Sequence, residues 1–189
     1  MHYLIIWFLK PAINLAARKK LAPVYGKASI KRLLKIVWEK STKHYREIPK
    51  EETLGSRIMV GLAVLSGIFY EELLLLAGNE KKAISQFNEI AWIIYRKMGR
   101  FAYLVTGLRT RDTSSRLQKA TSLFRTFPFG SPSYQWKDLP SDPGIVAFNC
   151  ERCPVANYFK AEQMAHIGYQ TWCQLDFRLA ELFREEHLN

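Results

Sequence analysis

The sequence predicts an α+β fold, mainly helical, with a small antiparallel β-element before two C-terminal helices. Three observations carry that prediction. Apolar residues recur at helical spacing over most of the first 126 residues. At Phe127-Pro128-Phe129-Gly130-Ser131-Pro132, proline, glycine and aromatics replace this periodicity and mark extended chain. Helical patterning returns at Pro154 and again from about Tyr169 to Glu186. With 189 residues, 48% of them hydrophobic, the chain can bury one sizeable core, so a single domain is expected over 1–189. Its helical part, with a basic N-terminal segment, covers 1–127. Residues 128–189 carry the β-element and the cysteine-containing helices.

Taken in order, the apolar opening Tyr3-Leu4-Ile5-Ile6-Trp7-Phe8-Leu9 comes first, followed by Lys10, Arg18, Lys19 and Lys20. No Lys or Arg precedes it, as a signal peptide requires, and it is too short to span a bilayer. Its composition fits an interfacial membrane anchor or a helix docked on the core. Ile30, Leu33, Leu34, Val37 and Trp38 form the apolar stripe of a helix whose outer face is basic. Pro49 and Gly55 interrupt the pattern before a strongly apolar helix from about Ser56 to Ala77. There Ile58 to Tyr70 meets Glu71 and Glu72 before the roughly 20 residues of a span, so no transmembrane helix is expected. Adjacent helical positions diverge by about 100°, so one glutamate of this pair can face inward while the other meets solvent.

Gly78 supplies a stop and Asn79 a new cap. Ala83, Phe87, Ile90 and Ile94 then form a core stripe, and Gly99 predicts an end, with a shorter helical piece over 100–108. Asp112 or Thr113 caps another helix to about Thr126. Two strands are expected at Tyr134 to Asp138 and Ile145 to Cys150, joined by Pro140-Ser141-Asp142-Pro143-Gly144. A two-stranded hairpin is marginal alone, so it needs covering helices or a further strand.

The formal charge of +11 is uneven: residues 1–50 carry a net +10, 51–150 a net +3 and 151–189 a net −2. The basic quarter suggests peripheral contact with an anionic membrane through residues 1–20. No nucleic-acid partner is predicted, because no binding motif accompanies the charge. Nor is there a glycine-rich phosphate loop, a Ser-His-Asp order or a paired-histidine helix.

All three cysteines fall within 24 residues, in Phe148-Asn149-Cys150-Glu151-Arg152-Cys153-Pro154 and in Cys173-Gln174-Leu175-Asp176. An odd number without a secretory signal suggests a reducing, cytoplasmic setting. Pro154 suits the first position of a helix, which makes Cys153 its cap. The unpaired N–H groups and the helix dipole there favour a thiolate. Cys173, Asp176, Phe177 and Ala180 share a face of the following helix, and a carboxylate on so apolar a face needs a partner. Three other readings compete. Free cysteine often packs as a small hydrophobe. Cys150, Cys153 and Cys173 could ligate zinc, with Asp176, His166 or His187 as fourth ligand, but one close cysteine pair falls short of the usual two, so no metal is expected. A redox dithiol is disfavoured because Cys150 lies in a strand and no thioredoxin-like βαβ pattern surrounds it.

The run Phe127-Pro128-Phe129, then Trp136, then Phe148-x4-Cys153-Pro154-x3-Tyr158-Phe159, then Cys173-x2-Asp176-x3-Ala180 resembles the conserved end of the L-2-amino-thiazoline-4-carboxylic acid hydrolase family. Tyr25-Gly26, Ile48-Pro49 and Phe69-Tyr70-Glu71-Glu72-Leu73 extend the resemblance over most of the chain. It implies hydrolytic opening of a cyclic amidine to a carbamoyl-cysteine, without an organic cofactor. Cys153 would attack the amidine carbon and Asp176 would hold the amidinium, with Cys173 beside them and Arg152 and Tyr158 contacting substrate. The alternative is a non-catalytic member that binds a small molecule or partner in the same pocket. The family pattern continues past the position of Leu188 with an Arg-Thr-x-Thr-like stretch and a terminal Cys-Asp-Phe. The sequence ends at Asn189, so the family's C-terminal strand is expected to be missing.

Overall fold

The computed structural model of the chain describes residues 2–48, 50–107, 113–142 and 145–185. The expectations placed on Pro49, Asp112, the Pro143-Gly144 turn and His187 fall outside these, as do the side chains of Trp7, Phe8 and Ala180. The fold is mainly helical α+β, with one two-stranded antiparallel sheet followed by C-terminal helices.

Two helices open the chain, α1 (His2–Tyr25) and α2 (Lys27–Glu47). They are separated only by Gly26, whose φ of 82° is a conformation that side-chain-bearing residues resist. Ile13, Ala16, Ala17 and Leu21 are buried along one face of α1, so the basic opening is a helix docked on the core. Trp38 Nε1 donates to Asn14 Oδ1 at 2.8 Å and Lys20 Nζ pairs with Glu89 at 2.9 Å, tying α1 to its neighbours.

The central element is α3 (Leu54–Ala77), begun by Thr53, whose hydroxyl accepts the Ser56 N–H at 3.2 Å. It ends at Gly78 in the left-handed conformation, φ 65°. By length and composition α3 could cross a membrane, contrary to the sequence expectation, because Leu73–Leu76 carry it past the Glu71-Glu72 pair. In this fold 67% of its apolar window is buried among other helices. Glu72 is half-buried and paired with Lys40 at 2.6 Å, whereas Glu71 is exposed.

Helix α4 (Glu80–Gly107) starts where expected, with Asn79 Oδ1 accepting the Lys82 N–H at 3.0 Å. It does not stop at Gly99. A mid-helix glycine costs only about 1 kcal/mol relative to alanine. Gly99 is buried, so packing decides against the local stop signal.

The largest core joins α1, α2, α3 and α4 through Leu21, Ile30, Val37, Phe69, Leu73, Phe87 and Ile90. A second cluster on the other side of α3 joins Met59, Val60, Ala63, Val64 and Ile68 to a later helix through Val155, Tyr158 and Phe159. Burial on both sides explains why α3 shows no polar face.

After α5 (Thr113–Thr126) come β1 (Gln135–Asp138) and β2 (Phe148–Arg152), antiparallel. β2 begins later than expected: the Ile145 N–H turns back to the Asp142 carbonyl at 3.0 Å, the Ala147 carbonyl accepts the Leu139 N–H at 3.0 Å just ahead of the strand, and β2 runs on to Arg152. The register passes from Trp136↔Cys150 to Gln135↔Arg152, so Glu151 is an extra residue in β2. The segment before β1 is locked to α3. Ser133 Oγ accepts the Thr53 N–H at 3.2 Å and lies 2.8 Å from Ser56 Oγ, both serines being fully buried. A Cβ on Gly55 would lie 2.2 Å from the Pro128 carbonyl oxygen, so only glycine allows this approach.

The chain then forms α6 (Pro154–Ala161) and the single turn α7 (Ala165–Gly168). A π-helical turn at Tyr169–Cys173 follows, then α8 (Gln174–Glu185). One regular helix was expected from Tyr169. The Gln174 N–H instead reaches the Tyr169 carbonyl five residues back, a wider turn of a kind often found at functional sites.

Candidate active site

Strand β2 delivers Cys153 to the first turn of α6. Cys153 has extended backbone (φ −126°, ψ 107°) and its Sγ accepts the Ala156 N–H at 3.4 Å, which makes it the N-cap ahead of Pro154. In a regular strand, side chains three positions apart point to opposite faces. The bulge at Glu151 and the turn into α6 bring Cys150 near enough to Cys153 for each to shift the other's ionisation.

The neighbouring Cys150 thiol pulls the Cys153 pKa down to about 7; burial opposes this, and the Ala156 and Val155 N–H groups assist it. Cys150 is correspondingly pushed far up by its neighbour Cys153 and by partial desolvation. The charge belongs on Cys153, since only that sulfur faces a helix N-terminus. Cys150 is exposed, and its thiol donates to the Arg152 carbonyl at 3.2 Å. All three cysteines are free thiols.

Asp176 comes from the first turn of α8. Its carboxyl pKa is raised from 3.8 to about 7, by burial alone. Its residue surface is nevertheless open to solvent. Both hold where neighbouring groups crowd the carboxyl while part of the residue stays open to solvent. The apolar face expected for Cys173, Asp176 and Phe177 is therefore not a core face. Leu175, 3% exposed, turns inward instead, while Phe177 is 61% exposed. Among the described residues no hydrogen bond or ion pair reaches the Asp176 carboxylate, so the expected partner is absent. The Cys173 thiol is raised by burial, then by the charges of Asp176 and Cys153.

Two tyrosines missed by sequence reasoning complete the cluster. Tyr95 on α4 is raised well above the ordinary phenol range by burial, then by Asp176, Tyr134, Cys173 and Cys153. Tyr134 is only 1% exposed, and its hydroxyl is buried without a hydrogen-bond partner among the described residues. Burial pushes it up, with contributions from Cys153, Cys150, Glu51 and Asp176. Tyr134 is held between Phe129, at 5.2 Å edge-on, and Trp136, stacked at 6.1 Å; Tyr95 is edge-on to Trp172 at 6.4 Å. A tyrosine at a core-like position carries no sign in the sequence of where its hydroxyl points.

Arg152 flanks the pair and lies 4.0 Å from Glu51. Tyr158 is placed elsewhere. It is buried against α3, edge-on to His44 at 6.2 Å, and its hydroxyl responds to burial, Glu162 and Glu71. His166 pairs with Glu80 at 3.0 Å. Among the described residues no three His, Cys, Asp or Glu side chains converge as metal ligands must, so the alternative zinc reading of Cys150, Cys153 and Cys173 is not supported. Two open hollows, of about 480 Å³ beside Arg125 and Trp136 and about 540 Å³ beside Asn14 and Leu15, contain none of the cysteines.

The cluster thus joins a thiol that ionises near neutrality, a carboxyl that titrates in the same range, the buried phenol of Tyr134 and the half-buried phenol of Tyr95. These are the groups needed for nucleophilic attack with proton transfer. Comparison with family models, curated proteins and solved structures finds no match to this chain.

Proposed function

We propose that the chain is a hydrolase that opens a small cyclic amidine, such as L-2-amino-thiazoline-4-carboxylate, to a carbamoyl-cysteine. The observation that carries this reading is the Cys153 thiolate at the N-cap of α6, within the field of an Asp176 carboxyl that titrates near pH 7. The thiolate adds to the amidinium carbon, and one ring bond of that carbon breaks to leave an S-linked amidine on Cys153. Water then adds and the thiolate departs, so one water is consumed and no other group is lost. Asp176 pairs with the amidinium as a carboxylate, and as a carboxylic acid donates to the departing ring atom. Arg152 keeps donors for a substrate carboxylate beside its contact with Glu51. Cys153→Ser and Asp176→Asn should each abolish ring opening, followed by chromatography of the product, while circular dichroism stays native. Full activity in Cys153→Ser rules out the nucleophile.

We further propose that α1 rests on anionic membrane from the cytoplasmic side. Leu15 is 69% exposed beside the exposed Arg18 and Lys19, an apolar point amid positive charge. Lys20, bound to Glu89, and Lys10, over the Trp38 ring at 5.2 Å, have structural contacts as well.

A further inference from the structure

In the neighbourhood of Arg152 two buried side-chain oxygens have no hydrogen-bond partner among the described residues, the Tyr134 hydroxyl and Glu51 Oε2. The backbone brings them to one place. Thr53, two residues after Glu51, donates its N–H to Ser133 Oγ at 3.2 Å, and Tyr134 follows Ser133. Gln135 in turn pairs across the sheet with Arg152, whose Nη2 lies 4.0 Å from Glu51 Oε2. That distance is an ion-pair contact, too long for a hydrogen bond. Tyr134 cannot swing away to find a partner. It is 1% exposed, edge-on to Phe129 at 5.2 Å and stacked on Trp136 at 6.1 Å, and its carbonyl accepts the Ser131 hydroxyl at 3.3 Å. A buried polar atom without a partner is destabilising, so native structures keep few of them, and those few call for a use.

The chemistry of the three groups selects a ligand. Burial first, then Cys153 and Cys150, then the Glu51 charge keep the proton on Tyr134, so its hydroxyl is a donor. The Glu51 carboxylate only accepts and Arg152 only donates. A lone anion would meet Glu51, and a lone cation would meet Arg152. We propose that Tyr134, Glu51 and Arg152 form a recognition subsite for a small carboxylate that carries a urea-type group. The urea carbonyl accepts from Tyr134, the adjacent N–H donates to Glu51, and the ligand carboxylate pairs with Arg152. The Arg152 side chain is 39% exposed and only loosely held by Glu51, so it can turn to the ligand and uncover Glu51 Oε2 as it does. The subsite rests on the hydrolase reading only for the statement that such a ligand is the product of ring opening.

The test titrates the intact chain by isothermal calorimetry at pH 7 with N-carbamoylglycine and with levulinate, which has the same shape but CH3 and CH2 in place of the urea NH2 and NH. N-carbamoylglycine should bind saturably, and levulinate roughly tenfold more weakly, because it leaves Glu51 desolvated without a donor. Tyr134→Phe keeps the ring and removes only the unpartnered oxygen. It should bind N-carbamoylglycine roughly tenfold more weakly, yet melt about 2–4 °C above the parent chain when no ligand is added. A purely structural hydroxyl, including one bonded to an internal water, predicts the reverse, a lower melting temperature. Glu51→Gln keeps the shape without the charge and should weaken binding while narrowing the preference over levulinate. No saturable binding by the intact chain, equal affinity for levulinate, unchanged affinity in Tyr134→Phe, or a lower melting temperature of that variant each overturns the proposal. None of these readouts uses ring opening, so failure here is distinct from failure of the hydrolase reading.

Discussion

At the scale of single residues, what distinguishes this chain is that a cysteine and a carboxyl ionise in the same narrow pH range for opposite reasons. Cys153 is brought down to about 7 by donors, and Asp176 is brought up to about 7 by desolvation. Alkylation of Cys153 by iodoacetamide, resolved by peptide mapping, should therefore be half-maximal near pH 7. The charge of Asp176 holds the Cys153 pKa up, so Asp176→Asn should move that midpoint lower; an upward shift would contradict the arrangement. The same substitution has a stability consequence. As pH rises from about 4 to about 7 the unfolded chain releases the Asp176 proton first, so the native protein loses stability over that window. Asp176→Asn should raise the melting temperature most at pH 8, less at pH 5 and hardly at all at pH 3. The Cys153 cap was legible, because Cys-Pro at a strand-to-helix junction leaves few alternatives. Tyr134 and Tyr95 were not, because their role depends on hydroxyl direction, which periodicity does not encode.

At the scale of elements, the π turn at Tyr169–Cys173 is what a spacing argument misses. Same-face reasoning across Cys173 and Asp176 assumes an inward helix face, whereas burial follows Ile167, Thr171 and Leu175. Gly168 anchors this turn, since a Cβ there would come within 2.7 Å of the Phe159 ring. Gly168→Ala should cost about 1–3 kcal/mol by overpacking, measured by urea unfolding. It should also shift the near-ultraviolet signal of Trp172, which is edge-on to Phe159. Gly99 is the opposite lesson: a stop signal read locally was outweighed by packing along α4. For α1, flotation with phosphatidylserine vesicles at low salt should recover the intact chain. Leu15→Glu should reduce recovery severalfold by adding negative charge at the apolar point. No binding by the intact chain would sink the membrane proposal.

For the molecule as a whole, α3 is the central element: α1, α2 and α4 cover one side, α6 and the Pro128–Ser133 segment the other. The overall class was legible because long periodic helices and a proline-rich break are strong signals. How the hairpin is secured was not, because it depends on Ser133 meeting Thr53 and Ser56 across a long sequence separation. Ser133→Ala should leave the Thr53 N–H without its acceptor and cost about 1–3 kcal/mol in urea unfolding. The two-sided burial of α3 also sets a clock during synthesis. The faces that α6 covers emerge from the ribosome roughly eighty residues before α6 exists, which at ~5–20 residues per second leaves them bare for on the order of ten seconds. A nascent chain in that interval presents a long, strongly apolar, spanning-length segment to chaperones and membrane-insertion machinery alike, and its fate depends on which of them arrives first.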